Sequence, residues 1–114
     1  MNVHKTLALR GPNLWARFPV LEAWVDLQDL KDVASCEIAG FNDRLKALLP
    51  SLHEHRCSEG RPGGFYERLE RGTYLAHILE HVALELQTLA GTPVKFGKTR
   101  MTSTDGVYKV AAQN

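Results

Sequence analysis

No apolar run in the 114-residue chain is longer than a few positions, far short of the roughly 20 needed for a helix to cross a bilayer. The N-terminus also lacks the apolar core of a signal peptide, so a cytoplasmic protein with no membrane partner is expected. Cysteine is scarce: Cys36 and Cys57 are too few to staple a secreted scaffold, and in a reducing compartment both stay as thiols. An excess of charge is missing too. Fourteen Lys and Arg face thirteen Asp and Glu, spread from Lys5 to Lys109 without a dense run, which gives no electrostatic case for nucleic acid. There is no repeat and no low-complexity segment. With 44% hydrophobic residues, the length suits a single domain spanning 1–114 with a modest core.

What is present is punctuated clearly. "MNVHKTLALR" alternates and stops at Gly11-Pro12-Asn13, which predicts a strand and a turn. In "VLEAWVDL", Leu21, Ala23, Val25 and Leu27 share one face, predicting a half-buried strand. Phe41, Leu45, Leu48 and Leu49 predict a short helix started by Asn42 or Asp43 and ended by Pro50. "CSEGRPGGF" must be an irregular loop, and Phe65 to Arg71 a second short helix stopping at Gly72. Thr73 is the expected cap of a long helix reaching about Ala90, with Gly91 in the left-handed conformation behind it. "PVKFG" and "GVYKVAA" read as strands around the turn-forming "TSTDG". The order predicts an α+β fold: a mostly antiparallel sheet carrying one long amphipathic helix and shorter helices.

The long helix carries an unusual stripe. Leu75, Ala76, Ile78, Leu79, Val82, Ala83, Leu86, Leu89 and Ala90 fill one half of its circumference, and His77, Glu80, His81, Leu84 and Glu85 lie on the other. An exposed face normally mixes Lys and Arg with its acids, and here there is neither. His77, Glu80 and His81 form H-x-x-E-H, the inverted zinc-peptidase helix, in which both histidines bind zinc and the glutamate acts as base. Glu85 sits eight residues beyond His77, about 12 Å along the axis, too far to share a tetrahedral ion with it. It is instead a candidate to hold His81 from behind, or lies in solvent. A third ligand has to come from elsewhere, and "SLHEHRC" offers His53, His55 and Cys57, which share one side if the segment is extended.

Longer fragments carry a resemblance. "LRGPNLW", "LLPSLHEHRCSEG", "GGFYERLERGTYLAHILEHVALELQTLAG", "FGKTR" and "TSTDGVY", in that order, resemble the N-terminal domain of the cyanophycin synthetase family. Members use ATP to build a polymer with an aspartate backbone and arginine side chains, through ATP-grasp and Mur-ligase-like domains that follow this one. The present length has no room for such a ligase domain, and "GTPVKFGKT" only approaches a P-loop. The resemblance therefore implies an accessory role, with cyanophycin polymer and the parent enzyme's other domains as partners and ATP used only by those domains. It also maps the metal ligands onto His77 and His81 and the general base onto Glu80. The family's last strand commonly carries a carboxylate where this chain has Gln113. If that group is the third ligand, the site is degraded here.

Three roles follow. The first is a polymer-binding module, in which Glu54, Glu67, Glu80 and Glu85 meet guanidinium groups and Arg56, Arg68 and Arg100 meet carboxylates. The second is zinc-dependent trimming of the polymer into primers by His77, Glu80 and His81. The third is a docking domain for the ligase domains, using Trp15, Phe18, Trp24 and Leu84. The first is the primary expectation, with the histidines and Glu80 aimed outward into a groove.

Overall fold

A computed structural model describes residues 1–9, 20–57, 60–91 and 96–113. Four strands, β1 (Asn2–Leu9), β2 (Val20–Asp26), β3 (Phe96–Met101) and β4 (Val107–Gln113), form one sheet in the order β1-β2-β4-β3, with every pair antiparallel. Helices α1 (Phe41–Leu48), α2 (Gly64–Arg71) and α3 (Leu75–Leu89) complete the α+β fold. Among the described residues no helix is long and apolar enough to cross a membrane. Trp15 and Phe18, half of the expected docking cluster, lie outside the described residues.

α3 packs across β3 and β4. Val25, Leu27, Ala76 and Val110 form the cluster between helix and sheet, with Leu79 and Tyr108 against it. Cover fades along β2: Val25 is 1% exposed, whereas Leu21 on the same face is 43% exposed. Beyond the helix, Val3, Leu7, Leu21 and Ala83 line an open cleft of about 440 Å³. At the other margin the strand comes very close: a Cβ on Gly97 would stand 2.8 Å from Leu84 Cδ1 and 3.1 Å from Glu80 Cγ. The missing side chain at Gly97 is what lets α3 settle on β3.

On its opposite flank α3 meets the small helices. Leu52, Phe65, Leu69 and Ile78 are buried there, with Phe41, Leu45, Tyr66 and Val82 packed around them. Ser35, fully buried, donates to Leu69 O at 2.8 Å and accepts from the Thr73 amide at 3.1 Å, tying the end of α2 to the start of α3. Two expected caps are not used. Gly40, left-handed at φ +75°, precedes α1, and Asn42 instead donates to Leu69 O at 3.0 Å. Tyr74 precedes α3 without a side-chain cap, because the Thr73 hydroxyl is engaged with His77.

Candidate metal centre

The polar stripe of α3 is not its wet side. Glu80 is 9%, His81 6% and Glu85 4% exposed, while Leu86 and Leu89 are 52% and 61% exposed. The expectation of two imidazoles and an acid pointing out into a groove is overturned: the small helices and β3 cover them. Apolar periodicity misplaced the buried arc because the groups that cover this side include polar ones, and polar side chains are buried at low cost once their hydrogen bonds are made.

The segment before α2 closes over the histidines. Residues Pro50–Glu54 form a 3-10 turn, not the extended run that would align His53, His55 and Cys57. Backbone bonds from the Gly63 amide to His53 O and from the Phe65 amide to His55 O then pin this segment to the start of α2. His53 is left exposed at the edge of Tyr66. His55 and Cys57 turn inward. Cys57 has φ +53°, a left-handed conformation that costs a non-glycine residue on the order of 1 kcal/mol or more. That conformation delivers its thiol to 3.3 Å from His77 Nε2.

His77 Nε2 and His81 Nε2 lie 3.1 Å apart. One donor atom from each of Cys57, His77 and His81 lies within 4.8 Å of the others, the metal-ligand cluster found among the described residues. Two ligands about 2.0–2.1 Å from a tetrahedral zinc stand roughly 3.3 Å apart, so the nitrogen pair is already near that spacing. The donor set fits as well, since thiolate with imidazole suits zinc better than hard cations. Burial lowers the pKa of His77, helped by the charge of Arg68. His81 is lowered to about 3 by burial and by its neighbours His77 and His55. Both rings are therefore neutral at pH 7, as metal ligands must be.

Around the cluster each ring is held. The Phe65 ring stacks on His81 at 4.1 Å between centroids and meets His77 edge-on at 5.8 Å. His77 Nδ1 is 2.9 Å from Thr73 Oγ1. His81 Nδ1 is 2.9 Å from His55 Nδ1, and His55 Nε2 is 2.8 Å from Glu85 Oε2. Glu85 thus stands behind His81 through His55, without direct contact of its own and away from solvent, so it is no surface contact for a polymer. Glu80 lies outside the three-residue cluster, and its carboxylate accepts a hydrogen bond from Thr99 on β3. Burial raises its pKa, and the Thr99 hydrogen bond partly offsets that rise.

The remaining candidates are scattered. Glu54, Arg56 and Arg100 are exposed, and Arg68 is partly buried near His77. Arg61 Nη2 donates to both carboxylate oxygens of Glu67, at 2.6 and 2.7 Å, beside a shallow depression of about 560 Å³ lined also by Tyr66, Glu70 and Arg71. The side chain of Gln113 lies outside the described residues. Phe65 and Thr99 were missed from sequence, and nothing local marks them, because each reaches the site through tertiary packing. Thr73, four residues before His77, was assigned to a helix cap and not to the ring beside it.

Residues 22–114 match the model of the cyanophycin synthase-like N-terminal domain. The chain is 55% identical over 112 residues to a cyanophycin synthetase of Crocosphaera subtropica, covering 96% of this chain and 13% of that protein. Similarity to the cyanophycin synthetase of Geminocystis herdmanii is 52% over 112 residues, again 96% of this chain and 13% of the relative. That of Trichormus variabilis is 48% identical over 115 residues, covering 99% and 13%. The chain thus spans about 13% of the length of the curated relatives it matches.

Proposed function

The chain belongs to the cyanophycin synthase-like N-terminal domain family, and from that premise we propose that it is an accessory domain with a zinc centre that trims an aspartate-arginine polymer. The observation that carries this is the convergence of Cys57, His77 and His81 from two separate segments onto one point. Three protein ligands leave a fourth position for water or substrate, the pattern of catalytic rather than structural zinc. When bound, zinc supplies Lewis-acid polarisation of a carbonyl. The chain's own groups do the rest. His77 and His81 are kept neutral and oriented by Thr73 and His55. Glu80, whose pKa is raised by burial, is the carboxyl suited to take up and release a proton, and its Oε2 is held by Thr99.

A second reading is polymer binding, favoured by the depression on α2. Arg61 and Arg71 with Glu67 and Glu70 give it both charge signs, and Tyr66 gives it an aromatic wall, which suits a zwitterionic chain.

The test uses untagged protein. One zinc per chain is expected, lost in His77→Ala and retained in Glu80→Gln, with polymer shortening abolished in both. Absence of zinc, or shortening that survives Glu80→Gln, overturns the first reading. Co-sedimentation with insoluble polymer tests the second, and failure to pellet at low salt would sink it.

A further inference from the structure

We infer that the face of the sheet turned away from α3 is a docking surface for an acidic polypeptide; this rests on neither the zinc centre nor the depression on α2. α3 packs on the face that carries Val25, Thr99 and Val110. Side chains alternate along a strand, so Trp24, Lys98, Arg100 and Lys109 stand on the other face. The register aligns them: Lys5 lies opposite Trp24, Trp24 opposite Lys109, and Lys109 opposite Arg100, one row across all four strands. Lys98 lies two residues from Arg100 on β3. Positions too far apart in the chain to make a basic run thereby become a basic patch.

Elsewhere basic side chains have acids beside them: Lys31 pairs with Asp105, Lys46 with Glu70 and Arg61 with Glu67. Among the described residues none of Lys5, Lys98, Arg100 and Lys109 is in an ion pair. Asp26, at the end of β2, meets His4, and Glu22 is separated from Lys98 by Ala111 in the neighbouring row. Like charges directly opposite each other, as Arg100 and Lys109 are, cost a sheet stability. Lys5 and Lys109 are partly relieved by lying over the Trp24 ring, at 4.9 and 5.8 Å from its centroid. Lys98 and Arg100 are exposed without that relief. Uncompensated charge of one sign on an open face is complementary to a partner of the other sign. The chemistry favours carboxylates on a polypeptide over a nucleic acid. Single-stranded nucleic acid needs a free aromatic platform for its bases, and two ammonium groups already occupy the Trp24 ring. Glu22 would repel phosphates, yet it can meet a cation on a protein partner. The chain also spans only 13% of its curated relatives, so in those proteins most of the polypeptide lies outside this domain and is tethered to it. Tethering raises the effective concentration enough for a contact of a few charges to hold.

The test follows Trp24 fluorescence in a Trp15→Phe chain, which leaves Trp24 as the only indole, during titration with poly-L-glutamate. A carboxylate that draws Lys5 or Lys109 off the ring changes the emission. Binding is expected at low salt and should weaken as salt is added. Lys98→Glu together with Arg100→Glu should weaken it about tenfold or more. Arg44→Glu, which reverses an exposed charge on α1, should leave it nearly unchanged. The reversed chain should melt no lower than the native one, because Arg100→Glu sets a carboxylate opposite Lys109. Absence of binding, equal affinity in the native and reversed chains, or tighter binding of an oligothymidylate of matched charge than of poly-L-glutamate overturns the inference.

Discussion

The two flanks of α3 are packed by different means. Toward the sheet it sets Ala76 and Leu79 against Val25, Leu27 and Val110, with polar contacts from the Thr99 hydroxyl to Glu80 and to Ala76 O. Toward the small helices it sets Ile78 and Val82 beside two histidines, a glutamate and the ring of Phe65. The first flank is held by apolar area, which needs only shape. The second adds to its own apolar cluster a set of hydrogen-bonded histidines, so it should respond to cations where the first does not, and to protons in the sense its histidines set.

Truncating the largest buried side chain on each flank tests that division. Phe65 and Leu27 are both 0% exposed. Phe65→Ala should cost about 3–5 kcal/mol and Leu27→Ala about 2–5 kcal/mol, read as falls in urea midpoint. Stability alone does not separate the flanks, but the histidines do. Phe65→Ala removes the ring stacked on His81 and should raise the His81 pKa by admitting water, whereas Leu27→Ala should leave it in place. Equal movement of His81 in both variants would mean the flanks are not independent.

The contrast also explains what could be read in advance. β1, β2, β4, α1 and α3 follow from alternation, helical spacing and Gly or Pro punctuation, because those signals act within a few residues. His77 and His81 were recognisable as a pair since four residues make one helical turn, and Cys57 was among three candidates for their partner. Choosing Cys57 over His53 needed the 3-10 turn at Pro50–Glu54 and a positive φ at Cys57, which are set by docking onto α2. Glu85 was read as standing behind His81 or in solvent; it is buried and reaches that ring only through His55, which the sequence did not show. Leu86 and Leu89 were assigned inside and lie outside, because periodicity shows that a helix has two faces without showing what covers each.

Acid is the next largest lever, and it acts on the two flanks with opposite signs. In metal-free protein His77 and His81 have folded pKa values below the usual 6.5. The unfolded chain therefore takes up protons first as pH falls, so their contribution is intact above about pH 6.5 and is lost progressively toward pH 3. His81 alone should withdraw on the order of 2 kcal/mol by pH 5. Glu80 runs the other way: its raised pKa means the folded state binds the proton more tightly, adding stability as pH falls through that range. Two histidines should outweigh one glutamate. Urea midpoints from pH 8 to pH 4 should fall, and a flat profile would place the imidazoles in contact with water.

The smallest expected effect isolates the polar contacts that Thr99 makes on the sheet flank. Thr99→Val keeps the volume and removes the hydroxyl that donates to Glu80 Oε2. Losing that partner should cost about 1 kcal/mol, more where the carboxyl is ionised. The Thr99 hydrogen bond favours the ionised form, so removing it should push the Glu80 pKa higher still. The loss should accordingly be greater at pH 8 than at pH 4, where a protonated Glu80 no longer depends on a donor. An equal loss at both values would show that Glu80 stays in one protonation state throughout. The carboxyl would then be part of the sheet flank's packing, not a proton carrier for the site beside it.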